Sequence, residues 1–90
     1  MTAERVTRIR AALERALAPL SLEIHDDSAD HVGHAGARNG GHFRVVIVSE
    51  TFSGRSRIER HRMVYAAVSD LMGHDIHALS IEARAPEETT

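Results

Sequence analysis

The chain contains no cysteine, no lysine and no tryptophan, and each absence removes a class of chemistry. Without cysteine there is no disulfide, no thiolate metal cage and no Cys nucleophile, so soft-metal chemistry has to be completed by sulfur from another molecule. Without lysine there is no side-chain amine nucleophile. Aromatic residues make up only 3% of the chain (Phe43, Phe52 and Tyr65), a poor supply of stacking platforms for nucleic-acid bases. No apolar run approaches the ~18–20 residues of a membrane-spanning helix. Glu4 and the lack of a continuous apolar segment argue against a signal peptide, so a cytoplasmic location is expected.

What is present fits one small folded domain. Ninety residues, 42% hydrophobic and 27% charged, form a single core with no internal linker or repeat. A chain of this size buries only roughly 60–65% of its unfolded surface, so no large internal active-site cavity is expected. All eleven basic residues are Arg, and seven His accompany them. The net charge of −2 argues against a generalised attraction to nucleic acid. Arg55, Arg57, Arg60 and Arg62 against Glu59 nevertheless give +3 locally, leaving the rest of the chain at −5.

Val6, Ile9, Leu13 and Leu17 step by three and four, the period of an amphipathic helix from about Ala3 to Ala18 that Pro19 ends. Thr2 reads as its N-cap, and Glu4 and Arg8 as a helical ion pair. Leu20, Leu22 and Ile24 alternate with polar residues as a half-buried strand. Residues 26–41 hold Gly, Asp and two His with little apolar content and read as a long functional loop. His42 to Ser49 is β-branched enough for a central strand covered on both faces. Ser56-Arg57-Ile58-Glu59 fits a capping box opening a second helix. Ile58, His61, Val64, Tyr65, Val68, Leu71 and Met72 form the predicted apolar stripe of that helix, and Gly73 its left-handed terminator. Ile76 to Ala83 alternates as a last strand with His77, Leu79, Ile81 and Ala83 on one face, and 85–90 reads as a frayed polar tail. The order helix, strand, strand, helix, strand predicts an α+β fold: a three-stranded mixed sheet with both helices on one face.

The histidines carry the candidate chemistry. Neutral imidazole ligates transition metals and can replace thiolate at iron in a [2Fe–2S] centre. His31 and His34 lie in the glycine-rich loop and His77 opens the last strand, so a loop folding towards that strand end brings a pair together. Such a pair cannot close a four-ligand site alone, and a site shared between two proteins resolves the shortage. The plain alternatives are solvated loop histidines and a strand-start histidine held by a backbone carbonyl. His61 reads as a packed core residue, His25 and His42 as strand polar residues, and His74 as a partner of a helix C-terminus. The arginine cluster suits bidentate binding of phosphate or carboxylate, or simply a solvated charged face. No phosphate loop, serine elbow or His-Glu-x-x-His motif is present, and catalysis is not expected.

Several segments in order carry a family resemblance: His42-Phe43-Arg44-Val45, Val48-Ser49, Phe52-Ser53-Gly54, Arg60-His61-Arg62-Met63-Val64-Tyr65 and Ile76-His77-Ala78-Leu79-Ser80-Ile81. Together they resemble the BolA family over nearly the whole chain. The resemblance implies an α-β-β-α-β arrangement related to the class II K-homology fold. It implies a non-enzymatic partner of Cys-Gly-Phe-Ser-type monothiol glutaredoxins that shares a glutathione-ligated [2Fe–2S] cluster in iron–sulfur trafficking or iron regulation, with no cofactor held tightly by the isolated chain. In that family the histidine matching His77 is an iron ligand, and the second ligand comes from the loop, here His31 or His34. Family members also act as transcriptional regulators, which points to duplex DNA at Arg55, Arg57, Arg60 and Arg62. The Gly-x-x-Gly loop of RNA-gripping K-homology domains is replaced here by Gly54-Arg55-Ser56-Arg57, which speaks against that mode of single-strand binding.

Overall fold

The computed structural model describes residues 2–27 and 40–88. It contains α1 (Thr2–Leu17), β1 (Ser21–Asp26), β2 (Gly41–Val48), α2 (Arg57–Ala67) and β3 (Ile76–Arg84), with short 3-10 turns at Glu50–Phe52, Ser69–Leu71 and Pro86–Glu88. The sheet order is β1-β2-β3, antiparallel between β1 and β2 and parallel between β2 and β3. The α2 crossover supplies the length that a parallel connection needs.

Register explains which side is buried. Leu22 and Ile24 oppose Ile47 and Val45, and on the other side of β2 Leu79, Ile81 and Ala83 align with Phe43, Val45 and Ile47. These residues share a face with Ile9, Leu13 and Leu17 of α1 and with Val64 and Val68, so both helices cover one side of the sheet as expected. The opposite side is polar, because His25, Arg44 and Ser80 form one row and Glu23, Val46 and Glu82 the next. Strand β2 is therefore central but covered by helices on one face only. Val46 and Val48 are half-buried among cross-strand neighbours, since two helices committed to one face leave none for the other.

The stripe of α1 matches its period, but α2 departs from the predicted one. Ile58 and Tyr65 are 64% and 40% exposed, while Val64 and Val68 are buried with Met63 and Ala67 packed beside them. At about 100° per residue, Ile58 and Tyr65 share a face that lies roughly 100° from Val64, so one stripe cannot hold both sets. His61 is not a core histidine. It is half-buried, with Nδ1 3.0 Å from the Arg57 carbonyl. The capping box is present: the Glu59 amide donates to Ser56 Oγ at 3.1 Å, and the Ser56 amide donates to Glu59 Oε1 at 2.8 Å. Helix α2 stops at Ala67, and Gly73, with φ +84°, turns the chain after the following 3-10 turn rather than ending the α-helix itself.

The end of α1 depends on a residue that local pattern does not reveal. Leu17 is followed by Ala18 in the left-handed region (φ +45°), an uncommon conformation for a residue with a β-carbon. Ser49, 1% exposed, donates from Oγ to the Leu17 carbonyl at 2.6 Å and accepts the Thr51 amide at 3.2 Å. One buried hydroxyl thus satisfies a helix C-terminus and opens the next turn.

The expected frayed tail is ordered through residue 88. Ala85 is buried, and the Glu88 carboxylate is gripped by Arg60 through Nη1–Oε1 at 2.7 Å and Nη2–Oε2 at 2.8 Å. The Ala85 amide also donates to Glu88 Oε1 at 3.0 Å. The Arg60 bonds first, then the Ala85 amide, hold the Glu88 carboxyl down to about 2. A depressed carboxylate stabilises the fold above its unfolded value, and that contribution is lost as pH falls through the folded value. The urea midpoint is therefore expected to drop between about pH 4.5 and pH 2, with a smaller drop in Glu88→Gln; equal acid sensitivity in the two proteins contradicts the clamp. Ser49→Ala, read by denaturant unfolding, is expected to cost about 1–3 kcal/mol, because the Leu17 carbonyl and Thr51 amide lose a buried partner.

Candidate functional site

His77 stands at the start of β3 and is exposed. Its place follows from a break in register. Gly41 aligns with Ile76 and His42 already with Ala78, so His77 is the extra residue of a bulge. Simple alternation would have put it with Leu79 on the buried face. Its ring instead lies with that of His42, centroids 5.2 Å apart and planes inclined by 38°.

The backbone around these rings is held from three sides. The Gly41 amide donates to the Asp75 carbonyl at 3.0 Å, and the Asp27 amide donates to the His42 carbonyl at 2.8 Å. Gly40 has φ +116°, and a β-carbon there would fall 2.7 Å from the His74 carbonyl oxygen and 2.8 Å from both the carbonyl carbon of Asp75 and the amide nitrogen of Ile76. The third hold is electrostatic. Arg8 of α1 forks onto Asp75, with Nε–Oδ2 at 2.8 Å and Nη2–Oδ1 at 2.6 Å. The Arg8 guanidinium, helped by Arg5, holds the Asp75 carboxyl below its ordinary value. Helix α1 is thereby fastened to the turn that launches His77.

His31 and His34 lie outside the described residues. The chain that carries them starts from Asp27 and returns at Gly40, and both anchors sit at the strand end shared by His42 and His77. His31 is four positions beyond Asp27 and His34 six before Gly40. At most ~3.3–3.6 Å per residue, either is within tether reach of His77. Among the described residues no group of three or more His, Cys, Asp or Glu converges to hold a metal. An exposed imidazole beside the loop anchors fits a centre completed by a second molecule, and the donor type fits iron of a [2Fe–2S] cluster.

The arginine cluster separates into different roles. Arg60 is spent internally: besides Glu88, its Nε donates to the Arg55 carbonyl at 3.0 Å and its Nη1 to the Ala83 carbonyl at 3.2 Å. Arg55, Arg57 and Arg62 are exposed. Arg55, Arg57, Arg60 and His61 face residues 81–84 of β3 across a groove of about 390 Å³. Phe43 and Phe52 are buried and Tyr65 donates its hydroxyl to the Leu79 carbonyl at 3.1 Å, which leaves the His61 imidazole as the aromatic ring lining that groove. Reading by residue type did not find His42, Gly40 or the Arg8–Asp75 pair. The adjacent Gly40-Gly41 ahead of a β-branched run was the available signal of a close backbone approach.

The described residues form a small α+β module that exposes His77 beside the points where residues 28–39 join the sheet. The description "BolA-like protein" matches residues 13–88, and the chain belongs to the BolA family. It is 44% identical over 80 residues to BolA-like protein 1 of Mus musculus, covering 89% of this chain and 57% of that protein. It is 42% identical over 87 residues to SufE-like protein 1 of Arabidopsis thaliana, covering 90% of this chain and 24% of that protein. The solved BolA domain of the Arabidopsis SufE1 superposes with a TM-score of 0.82 at 44% identity, covering 94% of this chain and 95% of that one. The DNA-binding transcriptional regulator BolA of Escherichia coli (strain K12) is 36% identical over 81 residues, 90% of this chain and 75% of that protein. The chain thus spans only a quarter to little more than half of the first two relatives. No helix among the described residues is long and apolar enough to cross a membrane.

Gly40→Ala tests the anchoring. The added carbon meets backbone atoms that cannot rotate away, so a stability loss of about 2 kcal/mol or more and shifted amide resonances at Ile76 and His77 are expected. Unchanged stability and resonances would contradict the close contact.

Proposed function

We propose that this protein is a non-catalytic partner of monothiol glutaredoxins of the Cys-Gly-Phe-Ser type, sharing a glutathione-ligated [2Fe–2S] cluster in iron–sulfur trafficking or iron regulation. The observation that carries the reading is the meeting of both loop anchors, Asp27 and Gly40, at the strand end that exposes His77. His77 would hold one iron, and His31 or His34 the other nitrogen position. The glutaredoxin cysteine and glutathione would supply the sulfur that a cysteine-free chain lacks. Imidazole is neutral where thiolate is charged, so histidine ligation raises the reduction potential of such a centre. The role of this chain's own residues is to present a nitrogen donor on rigid backbone and to leave the remaining positions to the partner.

Anaerobic reconstitution with a glutaredoxin and glutathione tests the reading. His77→Ala is expected to lose or blue-shift the visible absorption and circular dichroism of the heteromeric cluster, and replacing His31 and His34 singly identifies the second donor. A heteromeric spectrum that none of the three substitutions changes rejects the assignment.

A second reading, a DNA-binding regulator, is favoured by the groove bordered by Arg55 and Arg57 and by the name of the Escherichia coli relative. With Arg60 engaged by Glu88, the available contacts are Arg55, Arg57 and Arg62. Each phosphate neutralised adds about 0.9 to the slope of log K against log salt, so Arg55→Ala/Arg57→Ala is expected to flatten the slope by roughly two. An unchanged slope removes this reading.

A further inference from the structure

The His42–His77 pair holds a nitrogen donor that the proposed cluster ligation does not use. The separation of the two rings is one that chelation of a single ion would require. With metal–nitrogen bonds of about 2.0–2.1 Å and ring centres roughly 1.2 Å beyond each nitrogen, two imidazoles on one tetrahedral ion have centroids roughly 5 Å apart. The observed separation is 5.2 Å. The two rings arise on neighbouring strands of one sheet, where the bulge at His77 brings them together.

We propose that His42 and His77 form a two-imidazole site for a borderline divalent transition-metal ion, of the copper, nickel and zinc class, that the chain binds without a protein partner. Imidazole nitrogen selects these ions over the hard cations Mg²⁺ and Ca²⁺, which take oxygen ligands. Among the described residues no third His, Cys, Asp or Glu joins the pair, so an ion held by these two rings alone keeps water in its other positions and is exchangeable. Backbone rigidity supplies the affinity that ligand number does not: the Gly40 contact, the Gly41–Asp75 bond and the Arg8–Asp75 fork fix the strand ends before any ion arrives. Because the site uses His77, an ion held there and a cluster held through His77 exclude each other.

Calorimetric titration of the full chain with Zn²⁺, without glutaredoxin or glutathione, tests the proposal separately from the cluster reading. One Zn²⁺ per chain is expected, with affinity at least about tenfold weaker in His42→Ala and in His77→Ala. His42→Gln, which retains a polar side chain on the outer face of the sheet, is expected to show the same loss with an unchanged far-ultraviolet circular dichroism spectrum. A His31→Ala/His34→Ala chain and a His25→Ala/His74→Ala chain are expected to bind Zn²⁺ as the parent does, and Mg²⁺ is expected not to compete. Parent-like binding by His42→Gln, or loss of binding in the His31→Ala/His34→Ala chain, overturns the proposal. Neither result touches the heteromeric cluster spectrum, which answers the other question.

Discussion

Gly40 has no room for a β-carbon, and the end of the sheet that carries His42 and His77 is built around that contact. Just before β2 the backbone must lie flat against that of residues 74–76, and only glycine combines that approach with a positive φ. The contact, with the Gly41–Asp75 bond, sets where β2 begins relative to β3. The offset this creates then places His77 beside His42 on the surface instead of beside Leu79 in the core. Register and the placement of the His77 imidazole thus accompany one steric constraint.

Two arginine–carboxylate forks extend that constraint across the molecule. Arg8–Asp75 ties the first helix to the turn before β3, and Arg60–Glu88 ties the second helix to the segment after it. Each joins elements far apart in sequence, and each uses the planar guanidinium to fix orientation as well as distance. Surface ion pairs taken singly contribute little to stability. Here the Arg60 fork also engages two backbone carbonyls, and Glu88 the Ala85 amide, so its role is to order the C-terminal turn. The cost is that one member of the basic cluster is withdrawn from any partner.

The fold class was legible because its signals are local. The three- and four-residue steps from Val6 to Leu17, the alternation about Leu22 and Ile24, and the Ser56–Glu59 capping box each depend on neighbours within a turn or two. The departures come from long-range facts. Whether Ile58 and Tyr65 or Met63 and Ala67 face the sheet depends on how α2 is rotated on β3, which periodicity alone leaves open when apolar residues occupy both faces. Residues 85–88 look like a frayed end until Glu88 meets Arg60. At the candidate site, residue type and the family resemblance reached His77, but not His42, because strand alternation carries no information about a bulge. The histidines of the loop were legible only as residue types within tether reach.

The central claim is that this chain gives an imidazole nitrogen to an iron centre whose sulfur comes from elsewhere. Electron–nuclear spin spectroscopy of the reduced heteromeric cluster, with ¹⁵N-histidine incorporated into this chain alone, addresses it directly. The account predicts strong ¹⁵N hyperfine couplings of iron-bound imidazole, of which His77→Ala removes the His77 contribution. A spectrum that labelling leaves unaltered, in a heterocomplex that still holds its cluster, would contradict it.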